Sequence, residues 1–333
     1  MALCYLTHPR AHNDSLQKRD YFCRVELIAR SATEDDLEVV KDIANRNLKS
    51  FNPNEKSIGD LEAREFIRGF FETAITRLTR FSDSDEWQSF ITLNPDQSRN
   101  RFYLDIYTVP GAQTLESSLK LAIELARENN PKYQLWLGTQ SRDLAYKSIL
   151  EQNQFELIRK YWTLEMDLSS ALCSERAQPG VIREIDINDE NELRSFHAVH
   201  QDAFSKHFGF MPRSFDDWRD LVLRDSTDLG LRAWIISVDS EDVGFLDCND
   251  ELKHEDCGYV AGLGVRLAHH GKGLGEALLR HAIKTHKDLG RKKLCLNVDA
   301  ENESGALRLY EKVGMRPISE WHQYENPNWA KLS

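Results

Sequence analysis

The stretch Gly262-Leu263-Gly264-Val265-Arg266-Leu267-Ala268-His269-His270-Gly271-Lys272-Gly273-Leu274-Gly275-Glu276-Ala277-Leu278-Leu279 decides the reading of the whole chain. A short apolar run enters a loop with glycines at 271, 273 and 275, and the loop opens a long amphipathic helix. Alternating glycines let successive backbone N–H groups turn toward one anion without a Cβ in the way. The helix N-terminus adds the positive end of its dipole, so the loop is built to cradle a phosphate or pyrophosphate. Two familiar cradles fail on spacing. A GxGxxG fingerprint from Gly271 needs glycine where Glu276 stands, and a GxxxxGK loop ending at Lys272 needs glycine at Arg266. Upstream, Gly258, Gly262 and Gly264 share one parity and leave one strand face nearly bare. That weakens a strand unless something must approach its backbone closely.

Farther on runs Leu296-Asn297-Val298-Asp299-Ala300-Glu301-Asn302-Glu303-Ser304-Gly305-Ala306-Leu307-Arg308-Leu309-Tyr310-Glu311-Lys312-Val313-Gly314-Met315. Together these stretches resemble motifs A and B of the GNAT superfamily of CoA-dependent N-acetyltransferases. Motif A, Gln/Arg-x-x-Gly-x-Gly/Ala, falls on His270-Gly271-Lys272-Gly273-Leu274-Gly275, with His270 in place of the usual Gln or Arg. The resemblance implies acetyl-CoA as co-substrate. It would be bound by the loop His270 to Gly275, by Asn302, and by backbone groups of Leu263 and Val265 acting as a strand edge. It also implies that Tyr310 is the general acid, since a phenol can protonate a departing thiolate. No metal is implied.

The region Ala203-Phe204, His207-Phe208-Gly209-Phe210, Pro212, Ser214-Phe215 and Trp218 is similar to the helix–loop–helix that covers the acceptor in tandem GNAT enzymes of mycothiol synthase-type architecture. Phe204, His207, Phe208 and Phe210 would then line an acceptor pocket. An attacking amine must lose a proton. Many GNATs keep a carboxylate for this on the strand before the glycine loop, where this chain has Ala261 and Gly262. The nearest carboxylates by topology are Asp247, Glu255 and Asp256. Asp247 lies among apolar residues that could raise its pKa toward a working base, and a water relay is an equal alternative.

The chain also repeats itself. Phe155 closes Ile149-Leu150-Glu151-Gln152-Asn153-Gln154-Phe155, and 160 residues later Met315 closes Leu309-Tyr310-Glu311-Lys312-Val313-Gly314-Met315. The same offset lays Ala122-Ile123 on Ala282-Ile283. It also sets Gly111 on Gly271, Gln113 on Gly273, Leu115 on Gly275 and Leu150 on Tyr310. The first copy thus lacks two glycines and the tyrosine, and Pro110 removes a backbone donor from its loop. The expected fold is α/β, two tandem GNAT-type domains, each a central mixed β-sheet flanked by helices. An extension spans 1–22, a degenerate structural or acceptor-shaping domain 23–168, a linker 169–180 and a catalytic domain 181–333. In the second copy, strands are expected at 181–185, 232–238, 243–248, 259–265 and 294–298. Helices are expected at 189–204, 214–223, 273–289 and 304–313, and the tail returns as a final strand or two.

Composition fits this reading. The 333 residues are 41% hydrophobic and 29% charged, an ordinary globular balance. A net charge of −11 disfavours phosphate backbones, so no nucleic-acid partner is expected. No apolar run approaches the ~20 residues that span a bilayer. Six cysteines without a CxxC pair read as reduced thiols in a cytoplasmic protein. The expected activity is acetyl transfer from acetyl-CoA to the primary amine of a small molecule by direct attack, in a monomer or homodimer. Its alternative is a non-catalytic CoA-binding or ligand-sensing protein on the same scaffold.

Overall fold

A computed structural model describes residues 25–70, 72–169, 179–302 and 305–332. The extension 1–22, most of the expected linker, and Ser304 at the expected start of the last helix lie outside them, as do Cys4, Cys23 and Cys173. Cys248, Cys257 and Cys295 are buried free thiols.

In the first half the strands are β1 (Leu27–Arg30), β2 (Ile75–Phe81), β3 (Ser89–Asp96), β4 (Arg101–Thr108), β5 (Gln134–Gln140) and β6 (Glu156–Asp167). Its helices are α1 (Leu37–Phe51), α2 (Asp60–Arg68), α3 (Leu115–Asn129) and α4 (Leu144–Gln152). The second half has β7 (Val181–Glu184), β8 (Arg232–Val238), β9 (Glu241–Asn249), β10 (Cys257–Val265), β11 (Lys293–Asp299) and β12 (Arg316–Glu325). With them are α5 (Glu190–Phe204), α6 (Phe215–Leu229), α7 (Leu274–Asp288) and α8 (Ala306–Val313). All twelve strands join one mixed sheet in the order β1-β2-β3-β4-β5-β12-β6-β11-β10-β9-β8-β7. Among the described residues only β4 with β5 and β10 with β11 are parallel. The fold is thus of the expected α/β class, a mixed sheet flanked by helices.

Local chemistry explains the element ends. Ser214 accepts a hydrogen bond from the Asp217 N–H and caps α6, while Asp189 caps α5 through the N–H groups of Asn191 and Glu192. Helix α6 runs six residues past its expected end, to Gly230 at φ 65°. The β8–β9 turn is only Asp239-Ser240, both at positive φ, so Glu241 and Asp242 join the strand instead of the loop. Helix α7 buries Leu274, Leu278 and Ala282 on the sheet, but Leu289, expected on that face, is 50% exposed because the helix stops one residue before it.

The two halves exchange their last strands. Strand β6 ends the first half but lies antiparallel to β11. Strand β12 ends the second and lies between β5 and β6. The two halves are therefore joined by strand pairing within one chain.

Candidate active site

The site begins where two parallel strands part. β10 pairs with β11 only from Cys257 to Val260, opposite Lys293 to Leu296. Beyond that, β11 stays with β6 as far as Asp299, while β10 follows β9 to Val265. One edge of β10 from Ala261 to Val265 is left without a strand partner, and a bulge between Val260 and Gly262 turns it.

The bare face of β10 is filled by the protein, which corrects the expectation that a ligand accounts for its glycines. A Cβ on Gly258 would lie 2.2 Å from His286 Nδ1, one on Gly262 would lie 2.1 Å from Asp247 Oδ1, and one on Gly264 would lie 2.6 Å from the Phe245 ring. The room left for a ligand is at the strand's open edge. Gly262, read as outward-facing, is buried, whereas Ala261 is exposed.

A cavity of about 600 Å³ follows this edge, lined by Ala261 to Val265, by the glycine loop, and by Asn302 and Tyr310. Gly271 and Gly273 sit at φ 77° and 79°, the left-handed conformation that frees their N–H groups from helix geometry. Nothing lies within 4 Å of a Cβ at either, so backbone shape, not crowding, requires glycine there. His270, at the position of the usual Gln or Arg, is exposed at the cavity rim. Its Nε2 meets the Val265 carbonyl at 2.9 Å and ties the loop to the strand. Lys272 is exposed with Nζ 3.4 Å from His269 Nδ1, and Leu274 is buried in the core. Tyr310 is 7% exposed, and burial pushes its phenol up to about 12.

A second cavity, of about 700 Å³, lies between the halves. Phe204, His207, Phe208 and Phe210 all line it, and the first three also line the donor-side cavity. Tyr161 and Ala261 are likewise shared, so the two chambers meet where β10 leaves β11. Asp247 lines the second chamber opposite Gly262, with its Oδ1 sealed and without a hydrogen-bond partner among the described residues. Burial drives this carboxyl up to about 7. The other two carboxylates line neither chamber. Glu255 accepts the Ser57 N–H at 3.0 Å and Asp256 pairs with Lys292 at 2.6 Å.

The first half builds much of the second chamber, and no motif announced its residues. Arg101, Tyr103 and Asp105 alternate along one face of β4, with Trp136 and Gly138 beside them on β5 and Tyr161 on β6. Trp136 stacks on Phe208 of the second half at 5.6 Å. Asp105 accepts no hydrogen bond among the described residues, and burial alone raises it to about 7. His200, held among Phe204, Trp218 and Phe245, is driven down to about 3 by burial and stays neutral. The position equivalent to the glycine loop in the first half differs. Gly111 keeps a positive φ of 86°, but Thr114 at the start of α3 is fully buried, 2.6 Å from the Ser89 hydroxyl.

Comparison with known proteins agrees with this geometry. The acetyltransferase (GNAT) family matches residues 193–315. No curated protein matches the chain by sequence. In fold it is similar to a GCN5-related N-acetyltransferase from Sphaerobacter thermophilus, with TM-score 0.74 and 16% identity over 90% of this chain and 95% of that one. A tandem GNAT protein from the clavulanic acid biosynthesis pathway aligns with TM-score 0.67 and 12% identity, covering 90% and 98%. A GNAT-family acetyltransferase from Colwellia psychrerythraea aligns with TM-score 0.59 and 12% identity, covering 90% and 99%. The parted strands and the left-handed glycines both fall within residues 193–315, the segment that matches the acetyltransferase (GNAT) family, and the chain as a whole has a fold similar to that of tandem GNAT proteins.

Proposed function

We propose that the chain transfers the acetyl group of acetyl-CoA to the primary amine of a small molecule at a single site in the C-terminal half. The observation that carries this reading is the meeting of the two chambers at Ala261, one with a glycine loop fit for a phosphate and the other with a buried carboxyl that faces no cation. The pyrophosphate lies on the N–H groups of Gly271 to Gly275, and the thioester end of the co-substrate follows the open edge of β10 at Leu263 and Val265. Because the Val265 carbonyl already holds His270, that residue offers chiefly its N–H.

The amine nitrogen attacks the thioester carbon and the C–S bond breaks. Asp247 takes the proton the amine loses, and the leaving thiolate accepts a hydrogen bond from Tyr310. A phenol near 12 stays protonated until needed, yet full transfer to a thiolate of pKa ~8.5 is uphill by roughly 5 kcal/mol. Tyr310 therefore acts as a neutral donor to developing charge rather than as a strong acid. The first half, whose equivalent loop lost its glycines, shapes the acceptor chamber. It spans 23–168, with a linker at 169–180 and the catalytic domain at 181–333.

A second reading, a non-catalytic CoA-binding or ligand-sensing protein, draws on His270 being spent on the Val265 carbonyl. Calorimetric titration with acetyl-CoA, followed by thiol release with a panel of amines, separates the two. One site, lost in Gly273→Asp, together with amine-dependent thiol release abolished in Tyr310→Phe, is expected. Two sites would overturn the assignment of the first half, and binding without turnover on any amine would favour the sensing protein.

A further inference from the structure

The acceptor chamber has two ends of opposite charge. Three carboxyls line it, Asp247 on β9, Asp225 on α6 and Asp105 on β4. Asp225 has Arg224 beside it at 3.1 Å, but Asp247 and Asp105 face no cation. Each leans over a glycine of the next strand. A Cβ at Gly262 would meet Asp247 Oδ1 at 2.1 Å, and one at Gly138 would meet Asp105 Oδ1 at 2.8 Å. A buried carboxylate held this way, facing no cation, is costly unless one arrives.

The other end is cationic. Arg101 is 5% exposed, lies 3.3 Å over the Trp136 ring, and donates only to neutral groups, the Gln134 side-chain oxygen at 3.0 and 3.2 Å and the Tyr103 hydroxyl at 3.3 Å. It has no carboxylate partner among the described residues. Nearby Arg99 and Arg213 both reach the carboxylate of Asp96, at 3.3 and 2.8 Å. Trp136, 6% exposed, has an Nε1–H without a hydrogen-bond partner. Arg101 and Asp105 lie four residues apart on one face of β4, a rise of about 13 Å.

Resting on the acetyl-transfer reading above, we infer that the acceptor is dipolar, a primary amine on a body that ends in a carboxylate or phosphate. The amine is drawn to the Asp247 end and the anion to Arg101, so the chamber selects its substrate by charge at both ends and fixes which end meets the thioester. A guanidinium fork suits either anion. A reversed molecule would set its anion against Asp247 and Asp105, and a simple diamine would set a second ammonium against Arg101.

The test compares ω-amino carboxylates of graded chain length with their carboxamides and with aminoalkyl phosphates. It measures kcat/KM by thiol release, and equilibrium binding in the presence of CoA, where no turnover occurs. The anionic amines are expected to exceed the matching amides by at least ~10-fold in both measurements, as for a charged hydrogen bond. Which anion wins identifies the group. In Arg101→Gln the preference for anionic amines over their amides collapses through a higher KM for the anionic amines, with acetyl-CoA affinity retained; Arg101→Lys, which keeps the charge, retains part of the preference. Equal binding of acids and amides, or a preference for diamines that Arg101→Gln leaves untouched, would overturn the inference even if acetyl transfer occurs. Anion-selective binding without turnover would uphold the inference and count against the acetyl-transfer reading alone.

Discussion

At the scale of single residues, two carboxyls raised by burial, Asp105 and Asp247, line the same cavity. Asp105 and Asp247 keep their protons to about pH 7, whereas in the unfolded chain they lose them near 3.8. Between those values the unfolded state ionises first, so each residue makes the fold less stable as pH rises from about 4 to 7, by at most ~4 kcal/mol. Asp105→Asn is therefore expected to raise the melting temperature above pH 7 and to lose that advantage below pH 4. Denaturation measured across pH decides it, and a gain that persists at pH 3 would count against the burial argument. For Asp247 as base, kcat/KM rises as pH passes about 7. Asp247→Asn removes that limb and costs on the order of 10²–10⁴ in kcat/KM, the usual reach of a positioned base. An unchanged pH profile in the variant would remove Asp247 from the chemistry.

At the scale of elements, glycine does two different jobs within a few residues. Gly273 is required by its φ of 79° and has open space around it, so Gly273→Ala is expected to cost ~1–2 kcal/mol of backbone strain. Gly262 is required by contact, and Gly262→Ala pushes Asp247 Oδ1 from 2.1 Å. Steady-state kinetics with calorimetry separate the two: Gly262→Ala is expected to lower kcat with acetyl-CoA affinity retained, and Gly273→Ala to weaken that affinity. The strand pairs also align the halves. β4 stays with β5 to Leu104 and β10 with β11 to Val260, so Asp105 follows the parting in one half as Ala261 does in the other. The half without the glycine loop holds a carboxyl where the half with it has none.

At the scale of the whole molecule, strand exchange makes the halves inseparable. Removing residues 316–332 would leave β5 and β6 with unpaired edges and take Tyr324 and Trp329 out of the first half's core. Each half expressed alone is expected to aggregate or stay unfolded, and the whole chain to melt in one transition. Two resolved calorimetric transitions would contradict this. Phe208 packed on Trp136 ties the helix–loop–helix of one half to the sheet of the other, so Trp136→Ala is expected to raise acceptor KM more than it lowers kcat. An equal effect on acetyl-CoA affinity would show a global disturbance instead.

What the sequence determined by itself was whatever depends on neighbours along the chain. The Ser214 cap, the left-handed glycines at 271 and 273, the helix they open and the repeat were all legible, because hydrogen bonds and dihedral limits act over a few residues. Arg101, Asp105 and Trp136 carried no such signal. They reach the site because β12 and β6 cross between the halves and join them in one sheet, so that both halves line one chamber. The bare face of β10 was legible too, but not its occupant. Whether a glycine admits a ligand or a neighbouring side chain depends on the strand laid beside it, here Asp247 and Phe245, and only the tertiary structure decides that.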